Sequence, residues 1–465
     1  MTHESWNGKK VLILGLGQYP KGSGVSAALF FARAGATVRV TDQKTAKELE
    51  GNVAQLKKFK NVVFHMGGHD LKDIAWADLV VRNPRVRPSS PEMREAARLG
   101  KRIESDVSLF MDRCPCPVIG ITGTRGKSTT TTLVTEMLKA SGKRVWIGGN
   151  ITISPLTFLS SVKDTDLVVL ELSSWLLETT GAVGLSPEFS LITNLMRDHL
   201  NTYDGMDDYA EAKAQIFRHQ NQDGVVVLNA DDDYGREWMK EAPGRVLSFG
   251  SSKKTDATLT KKDLVWKDPK TGKNEVLLSR AQVRLIGDHN AMNVLAAALL
   301  ARTAGASTAA VRRVAKTFKG VADRLEEIAA INGVRFVNDT TSTTPDATIA
   351  AVKALAPLSR TIHLIAGGAD KELEFGELAK LLKSQKVHVT VFEGTAFAEF
   401  SKALRKAGVA FERVGSMREA FDVHLAMAEK GDTILLSPGC ASFGIFKNEF
   451  ERGEQFKKLV QKLRK

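Results

Sequence analysis

The segment 118–130, Val-Ile-Gly-Ile-Thr-Gly-Thr-Arg-Gly-Lys-Ser-Thr-Thr, constrains this 465-residue chain more than any other. The apolar run from Val118 to Ile121 has the character of a buried strand. Gly123 and Gly126 let the backbone turn tightly with its amides pointing inward, and Ser128 opens a helix over Thr129 to Ala140. Strand, glycine turn and helix in that order call for an α/β layer in which the helix N-terminus meets the sheet edge. Such a turn cradles phosphates, Lys127 can reach them, and the Ser128 hydroxyl can ligate Mg²⁺. The general pattern wants glycine six positions before the lysine, where Ile121 stands; a shorter Thr-Gly-Thr-x-Gly-Lys-Ser form fits. The segment therefore predicts a nucleoside triphosphate site.

Alternation of strands and helices continues on both sides. Lys10 to Gly17 runs as a strand into a glycine turn, a helix follows from about Gly24 to Ala34, and a second strand, Thr37 to Val40, ends at Asp42. This is a mononucleotide-binding unit without the dinucleotide fingerprint: the third glycine is expected where Pro20 stands, and Gly22 and Gly24 come late. Strands are expected at Asp78–Arg82, Arg144–Ile147, Leu167–Leu170, Phe189–Thr193 and Gly224–Leu228. A lysine-rich surface excursion or hairpin is expected over Ser251–Lys273, and a long helix over Asn290–Thr303. A new alternation begins near Val321, with strands at Arg335–Val337, Thr361–Ala366, His388–Phe392 and Asp432–Leu436. Three α/β domains in series are predicted, Rossmann-like at each end and P-loop ATPase-like in the centre, spanning 1–105, 106–320 and 321–465.

Composition narrows the function classes. No apolar run approaches the roughly 18–20 residues of a membrane span, and the start, Met1-Thr-His-Glu-Ser, is not that of a signal peptide. Three cysteines, two of them in Cys114-Pro-Cys116, build no disulfide framework or metal set, and a reducing cytoplasm is expected. The net charge of +13 is scattered along helices without interleaved aromatics, which favours anionic small ligands over nucleic acid.

Other polar groups collect at strand ends. Glu171 closes the run Leu167-Val-Val-Leu-Glu, where a buried carboxylate needs a cation; a structural salt bridge or Mg²⁺ would each supply one. Thr193-Asn-Leu-Met-Arg-Asp-His199 ends the next strand, and Lys213 lies on the helix Met206 to Phe217. Asn290 and Asn293 share one helix face and can grip a nucleoside edge or cap their helix. Asp323-Arg324, Asn338-Asp339-Thr340 and the small-residue loop Ser437-Pro-Gly-Cys-Ala-Ser-Phe443 complete the set.

In this order, along nearly the whole chain, these blocks resemble the Mur ligases, ATP-dependent amide-forming enzymes of peptidoglycan precursor synthesis. The blocks are the cradle, Gly148-Gly-Asn150, Leu170-Glu-Leu-Ser-Ser174, Asp198-His199, the Lys213 helix, Asn229-Ala-Asp-Asp232, His289-Asn290 with Asn293, Asn338-Asp339, and Leu436 through Asn448. The likeness is greatest to the members that join glutamate to UDP-N-acetylmuramoyl-L-alanine. It implies a cytoplasmic, monomeric enzyme of cell-wall biogenesis, and hence of cell shape and division. ATP would meet Gly123, Thr124, Gly126, Lys127, Ser128, Thr129, Asn150, Asn290, Asn293, Arg324 and Asp339. The nucleotide sugar would lie on Gly17, Gln18, Asp42, Asn83 and Ser173, and glutamate on Thr343, Lys371, Ser442 and Phe443. Lys127, Glu171, His199 and Lys213 would be catalytic. Two Mg²⁺ ions would be held by Ser128, Glu171, His199 and a carbamylated Lys213.

Several positions depart from the family pattern. Arg125 replaces the usual asparagine, Asp323-Arg324-Leu325 replaces His-Arg-Phe, Thr341 stands where lysine is common, and Glu449 where an aromatic is often found. The last two lie near the amino-acid site, so the amino acid added stays open between D- and L-glutamate, with a folyl-poly-glutamate ligase as a further alternative. A nucleotide-dependent oxidoreductase is disfavoured by the interrupted fingerprint.

Overall fold

The computed structural model describes residues 5–151, 153–198, 202–267, 272–285, 287–370, 373–385 and 387–463. The chain packs into two compact units, residues 1–284 with 289–317, and residues 285–288 with 318–465.

The first unit holds two sheets. The N-terminal sheet is all parallel, with β1 (Lys10–Leu14), β2 (Thr37–Asp42), β3 (Val62–Met66), β4 (Leu79–Arg82) and β5 (Arg102–Glu104) in the order β3-β2-β1-β4-β5. Its order reverses between β1 and β4, and the glycine turn after β1 stands at that switch point, where open α/β sheets bind ligands. Edge strand β3 has no fully buried residue, which is why apolar patterning does not reveal it.

The second sheet comprises β6 (Val118–Thr122), β7 (Val145–Gly149), β8 (Leu167–Glu171), β9 (Phe189–Ile192), β10 (Val225–Asn229), β11 (Arg245–Gly250), β12 (Ala257–Leu259), β13 (Asp263–Lys267) and β14 (Asn274–Ser279). They lie in the order β14-β13-β12-β11-β10-β9-β6-β8-β7. Strands β6 and β8 are buried along their whole length, as parallel strands covered on both faces must be. The lysine-rich excursion is an antiparallel extension of this sheet, β12 to β14. In the row where Gly149, Glu171 and Ile121 are neighbours across β7, β8 and β6, Ile121 also faces Leu191 on β9. One edge of the sheet thus gathers the ends of four strands. Val11 and Ile13 of the first sheet and Phe31 of the helix Ser23–Arg33 share a core with Phe110, Val168 and Phe217.

The second unit is built on β15 (Glu326–Ile331), β16 (Val334–Asn338), β17 (Ile362–Ala366), β18 (Val387–Phe392), β19 (Phe411–Val414) and β20 (Thr433–Leu436), ordered β15-β16-β20-β17-β18-β19. Among the described strands of this sheet only β15 is antiparallel. It reaches β16 through Asn332-Gly333, both in the left-handed region (φ 51° and 80°), a two-residue hairpin turn that an Asn-Gly pair favours. Among the described residues no helix is long and apolar enough to cross a membrane.

Candidate active site

The loop between β6 and the helix Lys127–Ala140 has the shape its sequence implies. Gly123 and Gly126 adopt φ of 141° and 83°. A Cβ on Gly123 would lie 1.9 Å from Thr193 Oγ1, and one on Gly126 would lie 2.4 Å from Asn293 Oδ1. The segment after β9 braces the loop. Thr124 N donates to Asn194 O (2.9 Å) and Arg125 N to Asn194 Oδ1 (2.9 Å), while the Arg125 carbonyl accepts from Thr193 Oγ1 (2.6 Å) and Asn194 Nδ2 (3.1 Å). Asn229 Nδ2 in turn holds the Thr193 carbonyl at 3.0 Å. The polar strand tip that sequence reading tied to metal binding is, over Thr193 and Asn194, the support of the cradle. Its period-free pattern gives no sign of this.

Two amines converge on the loop. Lys127 Nζ folds back to Gly123 O (2.8 Å) and Thr124 O (3.0 Å), and Lys213 Nζ donates to Gly123 O at 3.1 Å. Lys213 comes from the helix Met206–Arg218 and is 1% exposed, its amine 4.6 Å from the Tyr209 ring centre. Burial, and then the charge of Lys127, push the Lys213 amine well below the usual lysine range, against the pull of Asp198 and Glu171. A neutral amine is the nucleophilic form of lysine.

Glu171, 2% exposed, ends β8 beside these amines. Oε1 accepts from Asn150 Nδ2 (2.9 Å), and Oε2 is buried without a hydrogen-bond partner. Asn150 is also tied through its own N–H to the Glu171 carbonyl (2.8 Å), so one effect of Asn150 is to aim the carboxylate. Ser128 and Thr129 sit in the first turn of a 14-residue helix whose unpaired amides favour an anion. Asn290 and Asn293, in the helix Asp288–Thr303, are buried and joined at 3.3 Å, with Asn293 pressed on Gly126.

A second convergence surrounds the N-terminal glycine turn. Gly15 and Gly17 have φ of 92° and 74°. Asp42 Oδ2 accepts from Gly17 N and Oδ1 from Lys44 N, each at 2.9 Å. Lys44 Nζ reaches Gln18 Oε1 (3.2 Å), and Asn83 Nδ2 reaches Gly15 O (3.2 Å). Gly24, although late for the fingerprint, takes the third glycine's place against the strand, because a Cβ there would be 2.2 Å from Gly15 O. Asn52, not singled out from sequence, donates to Gly17 O at 2.6 Å. Ser173 caps the helix Ser174–Ala182. Arg82, also missed, binds Trp175 O (2.6 Å) and Thr179 Oγ1 (2.7 Å) of that helix.

In the second unit, Arg324 lies between Asp323 and Leu325, both at positive φ (66° and 44°). Asp339 is 2% exposed and its oxygens accept from Leu325 N (3.0 Å), Ser342 Oγ (2.5 Å) and Ser437 Oγ (2.8 Å). Burial raises its carboxyl above the usual range, opposed by those hydrogen bonds and by Arg324. Thr343 follows β16; Ser442 is buried and Phe443 is 45% exposed after β20. Gly439 N donates to Ser342 O (2.9 Å) and Ala369 N to Ala441 O (2.8 Å), tying three strand-end loops together. His199 and Lys371 lie outside the described residues.

Sequence models of three domains match in series: "Mur ligase MurD-like, N-terminal domain" over residues 9–105, "Mur ligase middle domain" over 121–301, and "Mur ligase, glutamate ligase domain" over 323–440. The UDP-N-acetylmuramoylalanine–D-glutamate ligase of Roseiflexus sp. (strain RS-1) is 39% identical across 98% of each chain. That of Symbiobacterium thermophilum is 36% identical across 95% of this chain and 96% of its own. Among solved structures, the UDP-N-acetylmuramate-alanine ligase MurC of Thermotoga maritima matches with a TM-score of 0.61 at 22% identity, covering 98% of this chain and 99% of its own. MurF ligase of Thermotoga maritima, in complex with ADP, matches at 0.62 and 18% identity over 99% and 96%. These two share the fold.

Proposed function

The chain belongs to the Mur ligase family, and from that premise we infer that it is an ATP-dependent ligase joining D-glutamate to UDP-N-acetylmuramoyl-L-alanine in peptidoglycan precursor synthesis. The observation that carries the chemistry is the cradle: two lysine amines on one loop carbonyl, one of them buried and pushed well below the usual lysine range, beside a buried carboxylate with an unpartnered oxygen.

The first two domains, 1–105 and 106–320, bring the substrates' phosphates to the two glycine turns. UDP-N-acetylmuramoyl-L-alanine lies on the turn of Gly17, Gln18, Asp42 and Asn83, with Ser173 nearby. ATP lies on Gly123 to Thr129, against Asn150, Asn290 and Asn293. The alanyl carboxylate attacks the γ-phosphorus of ATP; a new O–P bond forms, the bond to ADP breaks, and an acyl phosphate results. Lys127 and the helix amides offset the charge on the transferring group. The amine of D-glutamate then attacks the acyl carbon, loses a proton, and the C–O bond to phosphate breaks to leave the amide. The third domain, 321–465, supplies Arg324 and Asp339 to the nucleotide and Thr343, Lys371, Ser442 and Phe443 to glutamate.

The residues fit Mg²⁺. The unpartnered Oε2 of Glu171 calls for a cation, and Ser128 offers a hydroxyl. Among the described residues no group of three or more His, Cys, Asp and Glu side chains is arranged to hold a metal ion by itself, and phosphate oxygens and waters would complete the shell. Ser128 and Glu171 would hold one ion and His199 and Lys213 another, and bound Mg²⁺ would lower the cost of charge build-up on the phosphoryl oxygens. Burial that favours the uncharged amine would let the Lys213 nitrogen lone pair add to CO₂ with loss of an N–H proton to solvent, which would turn an amine into a carboxylate-type oxygen donor. Cytoplasmic location and a monomeric state complete the proposal.

Phosphate release from ATP and Mg²⁺, with UDP-N-acetylmuramoyl-L-alanine and either D- or L-glutamate, tests this reading. Release with D-glutamate, and a product heavier by one glutamyl residue, is expected. Release with L-glutamate alone would overturn the stereochemistry, and silence with both would overturn the substrate assignment.

A further inference from the structure

Arg452 is 0% exposed, the largest side chain buried this completely among the described residues. It sits in the helix Glu449–Lys462, and among the described residues it makes no ion pair. Taking a guanidinium out of water without an ion-pair partner is costly unless its N–H groups find other acceptors. What it meets instead are three neutral oxygens on two loops. Nε donates to Thr340 Oγ1 (3.0 Å), Nη2 to Thr340 O (2.8 Å) and Nη1 to Cys440 O (3.2 Å). Thr340 Oγ1 donates onward to Glu449 O at 2.8 Å, so the threonine is gripped by two residues of one helix. Gly453 makes that docking possible: a Cβ there would stand 2.7 Å from Thr340 Cγ2 and 2.8 Å from Asp323 Oδ1.

The two loops follow β16 and β20, neighbouring parallel strands in which Asn338 pairs with Leu436. Loops at the carboxyl ends of adjacent parallel strands form the ligand crevice of an open α/β sheet. One loop carries Thr343, three residues beyond Thr340; the other carries Ser442, two beyond Cys440. The planar fork of arginine can address a hydroxyl and two carbonyls from three separate nitrogens at fixed angles, whereas the three donors of a lysine ammonium all radiate from one nitrogen.

We propose that Arg452 is a positioning residue for the incoming acidic amino acid: its guanidinium fixes the loop of Thr343 against the loop of Ser442, and its charge lies beneath both. This rests on the ligase reading above and assigns a residue outside the contact set to its glutamate step. The charge would favour a substrate bearing carboxylates, and the fork sets the spacing at which they are received.

Arg452→Gln, Arg452→Lys and Thr340→Val test it, with KM measured for D-glutamate, for the nucleotide sugar and for ATP in the full-length enzyme. Losing hydrogen bonds to a charged group should raise the KM for D-glutamate roughly tenfold or more in Arg452→Gln, while the KM for the nucleotide sugar moves less than about twofold. Arg452→Lys, which keeps the charge and loses the fork, should recover part of that loss. Thr340→Val, which removes the Nε acceptor with little change in volume, should shift the KM for D-glutamate in the same direction. Equal weakening of all three substrates would overturn the proposal in favour of a purely structural role. So would an unchanged KM for D-glutamate in Arg452→Lys and Thr340→Val, which decide the matter even if Arg452→Gln does not fold. An inactive wild-type enzyme would instead count against the ligase reading.

Discussion

The two glycine turns of the first unit are built alike and finished differently. Each follows a buried parallel strand at a switch point of its sheet and leads into a helix. Around the N-terminal turn the polar groups satisfy one another: Asp42 takes two backbone amides, and Asn52 and Asn83 hold the carbonyls of Gly17 and Gly15. Around the second turn they do not. The buried Lys213 amine is pushed well below the usual lysine range, and Glu171 keeps an oxygen without a partner. A self-satisfied turn is a rigid shelf on which a ligand docks. An unsatisfied one carries a free-energy cost that, on the function proposed above, a triphosphate, CO₂ and a cation would relieve.

The largest effect expected from this contrast is at Lys213. Lys213→Ala should lower turnover by roughly 10³-fold, with partial recovery by added short-chain carboxylic acids, because it removes the second amine of the cradle. Lys213→Met should be as inactive yet raise the thermal midpoint, since an apolar chain replaces a group that is costly to bury. The pH dependence gives the sign. In CO₂-free buffer the folded-state pKa lies below the unfolded value of about 10.4, so between the two the unfolded chain binds the extra proton and stability rises with pH. Lys213→Met should flatten that slope in thermal unfolding; an unchanged slope would break the contrast.

Gly24→Ala should cost about 3 kcal/mol by overpacking, because the new Cβ would lie 2.2 Å from Gly15 O. Denaturant unfolding would show it, together with weaker binding of the nucleotide sugar. Glu171→Gln comes next, with turnover down by roughly 10- to 100-fold and a higher Mg²⁺ requirement, read from Mg²⁺ titrations of phosphate release. Its stability should hold or improve, because the neutral amide is cheaper to bury. Asp42→Asn is the mildest. Loss of one of two accepted amides should cost about 1 kcal/mol, seen as a roughly fivefold higher KM for the nucleotide sugar with ATP unaffected. A loss of ATP binding in Asp42→Asn would mean that the two turns are not independent.

How far the sequence could be read follows from the range of each interaction. The cradle was legible because its glycines, lysine and serine are consecutive and the chemistry of each is local. Strands β6, β8 and β20 showed as continuous apolar runs, whereas β3, β15 and β19 are half-exposed and did not. The braces escaped. Arg82 meets Thr179 across 97 positions, Asn52 meets Gly17 across 35, and Arg452 meets Thr340 across 112. No periodicity marks such a residue, because its partner is chosen by where the chain returns.

The sequence by itself determined the α/β class, the order of the blocks and the family they belong to, since glycine turns, apolar strands and their spacing are properties of short segments. The tertiary structure decided which polar groups remain unsatisfied. Glu171 became a carboxylate with an unpartnered oxygen, and Lys213 an amine shifted well below the usual lysine range, only through what packs around them. Desolvation depends on the whole surrounding shell, and residues distant in sequence build that shell.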